Sequence, residues 1–235
     1  YIPVIIIIAI LGIASCTEKQ DNIKFDNILD ISYTPDTLNR YTPGCFTDLG
    51  SWMGFSIPQN DKWVNGFIGP FSFYEYGWKT ISVAEASFKA FPEETFLPDS
   101  INYYPGGVYI SASSEIGRIN QELIFATSSI ALLNIKSNSD QEIIIKSNFF
   151  TTNPNNCFIE GQTVRVNSSD NEDYLLIFPE GASISETKNG YEASIGSISN
   201  RGMYIVIAQL FKNEESNNET AIIKTAQTIL TEPEN

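Results

Sequence analysis

The chain has 235 residues, 42% of them apolar and 12% aromatic, which suffices for the core of one ordinary to large domain and excludes a wholly disordered chain. It carries 28 Asp and Glu against 14 Lys and Arg, a formal charge of −14, so it offers no basic face for a nucleic-acid backbone. It contains no histidine, which removes Ser-His-Asp triads, Cys-His pairs, His-ligated zinc and His general bases; carboxylate chemistry, aromatic stacking or no chemistry is left.

Residues Ile2 to Ser15 are almost wholly apolar and small. The run suits a signal-peptide core and falls short of the roughly 20 residues of a membrane-spanning helix. It ends in Ile13-Ala14-Ser15-Cys16, the pattern of a bacterial lipobox. Small residues there admit the signal peptidase, which cuts before the cysteine, and the thiol carries the lipid. Residues 1–15 are therefore expected to be a lipoprotein signal peptide, Cys16 the lipidated residue, and 16–34 a tether that begins with the polar Thr17 to Asn22. Several acyl chains on one cysteine hold a protein firmly on a membrane. The expected location is exported and lipid-anchored, at the outer membrane of a Gram-negative bacterium, on its periplasmic or cell-surface side. Cys45 and Cys157 remain. Export permits a disulfide between them, but sequence does not bring them together.

From Gly66 onward the pattern is β: runs rich in β-branched and aromatic residues, separated by Gly, Pro, Asn and Ser breakers. Strands are expected at Gly66–Phe73, Thr80–Phe88, Val108–Ser113, Ile119–Phe125, Ile130–Lys136 and Glu142–Phe150, and again at Thr163–Val166, Tyr174–Phe178, Tyr191–Ile195 and Met203–Phe211. Asn189-Gly190 is the strongest tight-hairpin signal. Ten or so strands without helical interludes predict antiparallel sheets packed face to face over residues 35–212. Residues 213–235 then change period. Ala221, Ile222, Ile223, Ala226, Ile229 and Leu230 fit one face of a helix, with Asn218 or Thr220 available as its cap. This helix, followed by a polar stub, reads as a linker toward a further domain. Asp170, Glu172 and Asp173 lie close together, but without an EF-hand's glycine and terminal glutamate, so they read as a solvated loop and no metal is expected.

All three tryptophans fall between Ser51 and Trp78, among Phe55, Phe67, Phe71, Phe73, Tyr74 and Tyr76. Within this stretch Phe46-Thr47-Asp48-Leu49-Gly50-Ser51-Trp52-Met53-Gly54 resembles the F-x-D-L-G-[AS]-W-x-G segment of bacterial glycoside hydrolase family 63, the α-glucosidase-like relatives of processing mannosyl-oligosaccharide glucosidase. Gly66-Phe67-Ile68-Gly69 is similar to the G-F-x-G step of the same domain. Leu123-Ile124-Phe125-Ala126-Thr127 and Ala131-Leu132-Leu133-Asn134-Ile135-Lys136 resemble one of its strand pairs. The resemblance runs from about Arg40 to Leu230.

It implies an all-β fold, an antiparallel β super-sandwich of the galactose mutarotase-like, glycosidase N-terminal type, with a short C-terminal linker helix. It also implies a helical (α/α)6 barrel in cis that holds the general acid and general base of an inverting mechanism, where the two carboxylates stand about 6.5–9.5 Å apart. On that reading the chain contributes no catalytic residue and needs no cofactor. Its partners are the barrel, an oligosaccharide substrate and the membrane, and nucleic acid is not among them. The segment Asp48–Gly54 would lean over the rim of the barrel's pocket. There Asp48 would accept a hydrogen bond from a sugar hydroxyl or cap its own turn. Trp52 would stack on a sugar or pack into a core or interface. Some relatives carry a polar residue where this chain has Met53. The alternative reading is a stand-alone glycan-binding surface lipoprotein.

Overall fold

The computed structural model describes residues 45–59, 63–72, 84–148, 157–167, 172–188, 190–198, 202–211 and 217–231. The expected signal peptide (1–15), Cys16 and the expected tether (16–34), together with Phe73, Tyr74, Tyr76, Trp78 and Asp170, lie outside the described residues. Among those described, the chain forms β1 (Met53–Ser56), β2 (Ile68–Ser72), β3 (Glu85–Phe88), β4 (Leu97–Tyr104), β5 (Gly107–Ser113), β6 (Arg118–Thr127), β7 (Ile130–Ser137) and β8 (Glu142–Asn148). Then come β9 (Cys157–Glu160), β10 (Thr163–Asn167), β11 (Glu172–Ile177), β12 (Ser183–Thr187), β13 (Gly190–Ser197), β14 (Met203–Phe211) and the helix α1 (Asn217–Thr231). The fold is an all-β antiparallel sandwich with one short C-terminal helix.

An eight-stranded sheet, in the order β4-β5-β6-β7-β14-β11-β10-β9, faces a four-stranded sheet, β12-β13-β8-β3, while β1 and β2 form a separate hairpin pair. One core lies between the two large sheets. It combines Val108, Ile110, Leu123, Leu133, Ile135 and Ile207 with Phe88, Ile143, Ile145, Tyr191 and Ala193. Because alternate side chains on a strand point to opposite faces, the central strands β7, β14 and β11 can bury both. Their second face presents Ile130, Leu132, Val206, Ala208, Leu175 and Ile177 to α1, which covers them with Ile222 and Ala226. That double burial is why these three strands read as continuous apolar runs. The helix expected as a linker thus packs back onto the sandwich.

Polar groups tie the sheets together where the hydrophobic core alone would leave register loose. Gln121 on β6 is fully buried. Its Nε2 donates to the backbone oxygen of Asn65 at 2.8 Å and to that residue's Oδ1 at 3.1 Å. Asn65 Nδ2 in turn donates to the backbone oxygen of Ala86 on β3 at 3.0 Å. The next residue must be glycine: a Cβ on Gly66 would lie 1.5 Å from the backbone oxygen of Ala84.

Three expectations change. The helix begins at Asn217, so Asn218 and Thr220 lie inside its first turn and are not its cap. Strands β1, β4, β9 and β12 form where none was expected. Glu172 and Asp173 sit on β11, both buried, instead of in a solvated loop. Neighbours on a strand face opposite ways, so these two carboxylates point to opposite faces of the sheet. The paired run 183–197 does form a hairpin, with Thr187 opposite Gly190. Cys45 and Cys157 are free thiols. Burial raises both above the ordinary cysteine value; for Cys157, burial and then the nearby Glu186 carboxylate push it up to about 11.

Candidate functional site

The segment from Phe46 to Gly54 is an anchored loop. Phe46 is buried and pairs with Phe55 as an isolated antiparallel bridge, its N–H donating to the Phe55 oxygen at 2.6 Å. Its ring packs on Phe125 at 5.5 Å and, edge to face, on Tyr103 at 5.7 Å. At the other end Met53 is fully buried and opens β1. Between these anchors the chain makes a tight turn in which Ser51 N–H donates to Asp48 O at 2.9 Å. Leu49 and Gly50 occupy its two central positions with φ of 51° and 71°. Two positive φ values in a row are the sign pattern of a type I′ turn, which glycine adopts freely and leucine does not.

The turn holds two apolar side chains outward. Leu49 is 54% exposed and Trp52 66% exposed. Asp48 accepts a hydrogen bond from the Leu49 N–H at 2.7 Å, so its carboxylate caps its own turn. Thr47 Oγ1 donates to the Ser51 oxygen at 2.9 Å, and Met53 N–H donates to Ser51 Oγ at 3.2 Å. Of the other tryptophans expected in this cluster, Trp63 is half-buried against the core. The structure therefore turns Trp52 outward and Trp63 inward.

A second arrangement escapes the sequence pattern. On the outer face of the large sheet, Asn102 opposes Tyr109, Tyr109 opposes Glu122, Glu122 opposes Asn134 and Asn134 opposes Tyr204. They form one straight row across β4, β5, β6, β7 and β14. Tyr104 lies beside it: a Cβ on Gly107 would fall 2.5 Å from its Cζ, so the ring rests on the bare glycine. Its hydroxyl donates to Glu122 Oε1. Burial and then that hydrogen bond keep the Tyr104 phenol protonated well above the usual tyrosine range. The alternation of β5 and β6 hints at a polar outer face, but the row needs β4, whose sequence LPDSINYY carries no strand signal. Among the described residues no group of three or more acidic or cysteine side chains could hold a metal.

No known family profile matches the chain, and no curated protein does. Among solved structures, the chain is similar to a point mutant of a glycoside hydrolase family 81 enzyme from Clostridium thermocellum, with a TM-score of 0.45 and 14% identity, over 86% of this chain and 27% of that one. It is also similar to heparinase III, with a TM-score of 0.37 and 10% identity, over 70% of this chain and 28% of that one. The chain thus spans little more than a quarter of the length of either structure.

Proposed function

We propose that the chain is the non-catalytic β-sandwich of a membrane-anchored, exo-acting α-glycosidase of the family 63 type. It packs on a helical catalytic barrel and offers the turn at Asp48–Trp52 to the rim of the barrel's pocket. The observation that carries the reading is the geometry of the family-like segment. Phe46 and Met53 are anchored in the core, while Leu49 and Trp52 are held outward by a turn that strains a leucine. Backbone strain kept at an exposed apolar tip is characteristic of functional contacts. Lipidation at Cys16 would hold the enzyme at the outer membrane.

The test is an activity comparison. The chain is assayed alone, and again extended by the stretch of the gene that follows Asn235, on aryl α-glucosides and α-linked oligosaccharides. Turnover is expected only from the extended protein, and Trp52→Ala should lower its kcat/KM for oligosaccharides more than for aryl glucosides. Substantial turnover by the shorter chain, or no barrel-encoding sequence after Asn235, would overturn the reading.

A further inference from the structure

We infer that the transverse row Asn102–Tyr109–Glu122, with Tyr104 beside it, binds an uncharged polysaccharide chain laid across the strands. Strands lie about 4.8 Å apart, so the three strands β4, β5 and β6 give a track roughly 10 Å long, enough for about two sugar rings. Tyr104 and Tyr109 supply flat faces for the C–H faces of pyranose rings, and the Asn102 amide and the Glu122 carboxylate supply partners for hydroxyls.

The row is built rather than incidental. Tyr104 is fixed by the bare backbone of Gly107 beneath it and by its hydrogen bond to Glu122. A ring held before the ligand arrives loses little freedom on binding. Asn134, the next position, is only 5% exposed and its side-chain oxygen lies against Gly202, so it closes the inner end of the row. At one end the row runs into the apolar patch under α1, where Tyr204 packs; at the other it opens at the edge strand β4.

Charge selects the class of glycan. Glu122 is the charged residue of the row, the outward-facing cation next to it is Lys136 opposite Asn120, and the whole chain carries −14. A polymer of uronic acids or sulfated sugars would be repelled from this face, whereas a neutral glucan or mannan is not. Trp52 is not part of the row, so this inference stands or falls apart from the reading of the loop.

The experiment is affinity electrophoresis and calorimetry of the chain with soluble starch, laminarin and galactomannan, and with polygalacturonate as the anionic counterpart. At least one neutral polymer should bind and polygalacturonate should not. Tyr109→Ala should weaken binding at least about tenfold, and Trp52→Ala should leave it within about twofold. Amide-shift mapping on the unmutated protein guards against a variant that misfolds: the neutral polymer should move Asn102, Tyr109 and Glu122. The inference is overturned if no neutral polymer binds, if polygalacturonate binds as well, or if the shifts and losses fall on Trp52 and leave the row untouched.

Discussion

Arg165 on β10 reaches across the outer face of the large sheet to Glu219 in the first turn of α1, Nη2 to Oε1. The same guanidinium places Nη1 3.1 Å from Asp173 Oδ2 on β11. One side chain thus pins the helix to the strands it covers, with a carboxylate at the helix N-terminus where the macrodipole favours it. The Asp173 side chain is nearly buried, so removing its cation leaves a poorly solvated charge. Arg165→Met is expected to cost about 1–3 kcal/mol, whereas Glu219→Gln, at the half-exposed end, should cost about 0.5 kcal/mol. Urea midpoints measure both. Amide exchange across α1 should rise more in the arginine variant.

Two glycines separate lack of space from backbone conformation. Gly66 has no room for a methyl group, which would overlap the Ala84 backbone; Gly66→Ala is expected to cost about 3 kcal/mol or more and to separate β3 from Asn65. Gly50 has nothing within 4 Å of a built Cβ but a φ of 71°, so Gly50→Ala should cost only about 1 kcal/mol. Thermal or urea unfolding of the two variants side by side tests the ranking.

The sequence announced strands according to how they are buried. Met203–Phe211 appears with its expected bounds because β14 is covered on both faces and its apolar run has no competing period. β6 and β7 were legible for related reasons, one by alternation and the other by continuity. β4 and β12 are at sheet edges, where solvent-facing Asp, Ser and Glu carry no apolar pattern to read, and the edge strand β9 has only 4 residues, too short a run to show a period. The candidate site divides the same way. The Phe46–Gly54 turn could be picked out from local residues, but the Tyr109–Glu122 row depends on pairings between strands, one of which was not expected at all.

Stability should depend on pH in two opposed ways. Burial, partly countered by Lys146 and the Asn148 amide, raises Glu85 above the ordinary glutamate value. The folded state then holds that proton more tightly than the unfolded one, so stability falls as pH rises through the window above the unfolded value. Glu142 is shifted down, first by its hydrogen bond from Lys89 and then by that from Ser194, and its contribution is present above the unfolded value and lost as pH falls. Glu85→Gln should therefore be more stable than the unmutated chain at pH 7, and the gain should vanish below the ordinary glutamate range. Urea midpoints from pH 3 to 8 follow both limbs; a gain that persists in acid would contradict the assignment.

Leu49 holds a left-handed conformation that asparagine tolerates better. Leu49→Asn is expected to stabilise the chain by about 0.5–1 kcal/mol, because an exposed leucine contributes little packing to offset the strain. If the turn serves a partner, the same change should weaken catalysis by the extended protein while the fold gains. A thermal scan paired with the oligosaccharide assay reads both effects, and a destabilised variant would argue against strain at this position.

Trp52 and Met53 are neighbours with opposite roles, and the contrast makes the loop testable. Met53 is fully buried beside Phe55 at the start of β1, so Met53→Ala should cost about 2–5 kcal/mol through lost burial and a cavity. Trp52 is two-thirds exposed, and its truncation should change stability by no more than about 0.5 kcal/mol. A large stability loss from Trp52→Ala would mean that the ring packs on this chain, leaving the outward turn without its proposed purpose. An unchanged midpoint leaves the indole free to act on something else. Any drop in oligosaccharide turnover by the extended protein then belongs to that contact and not to unfolding, because the backbone bonds that shape the turn, Ser51 N–H to Asp48 O and Phe46 to Phe55, do not involve the indole.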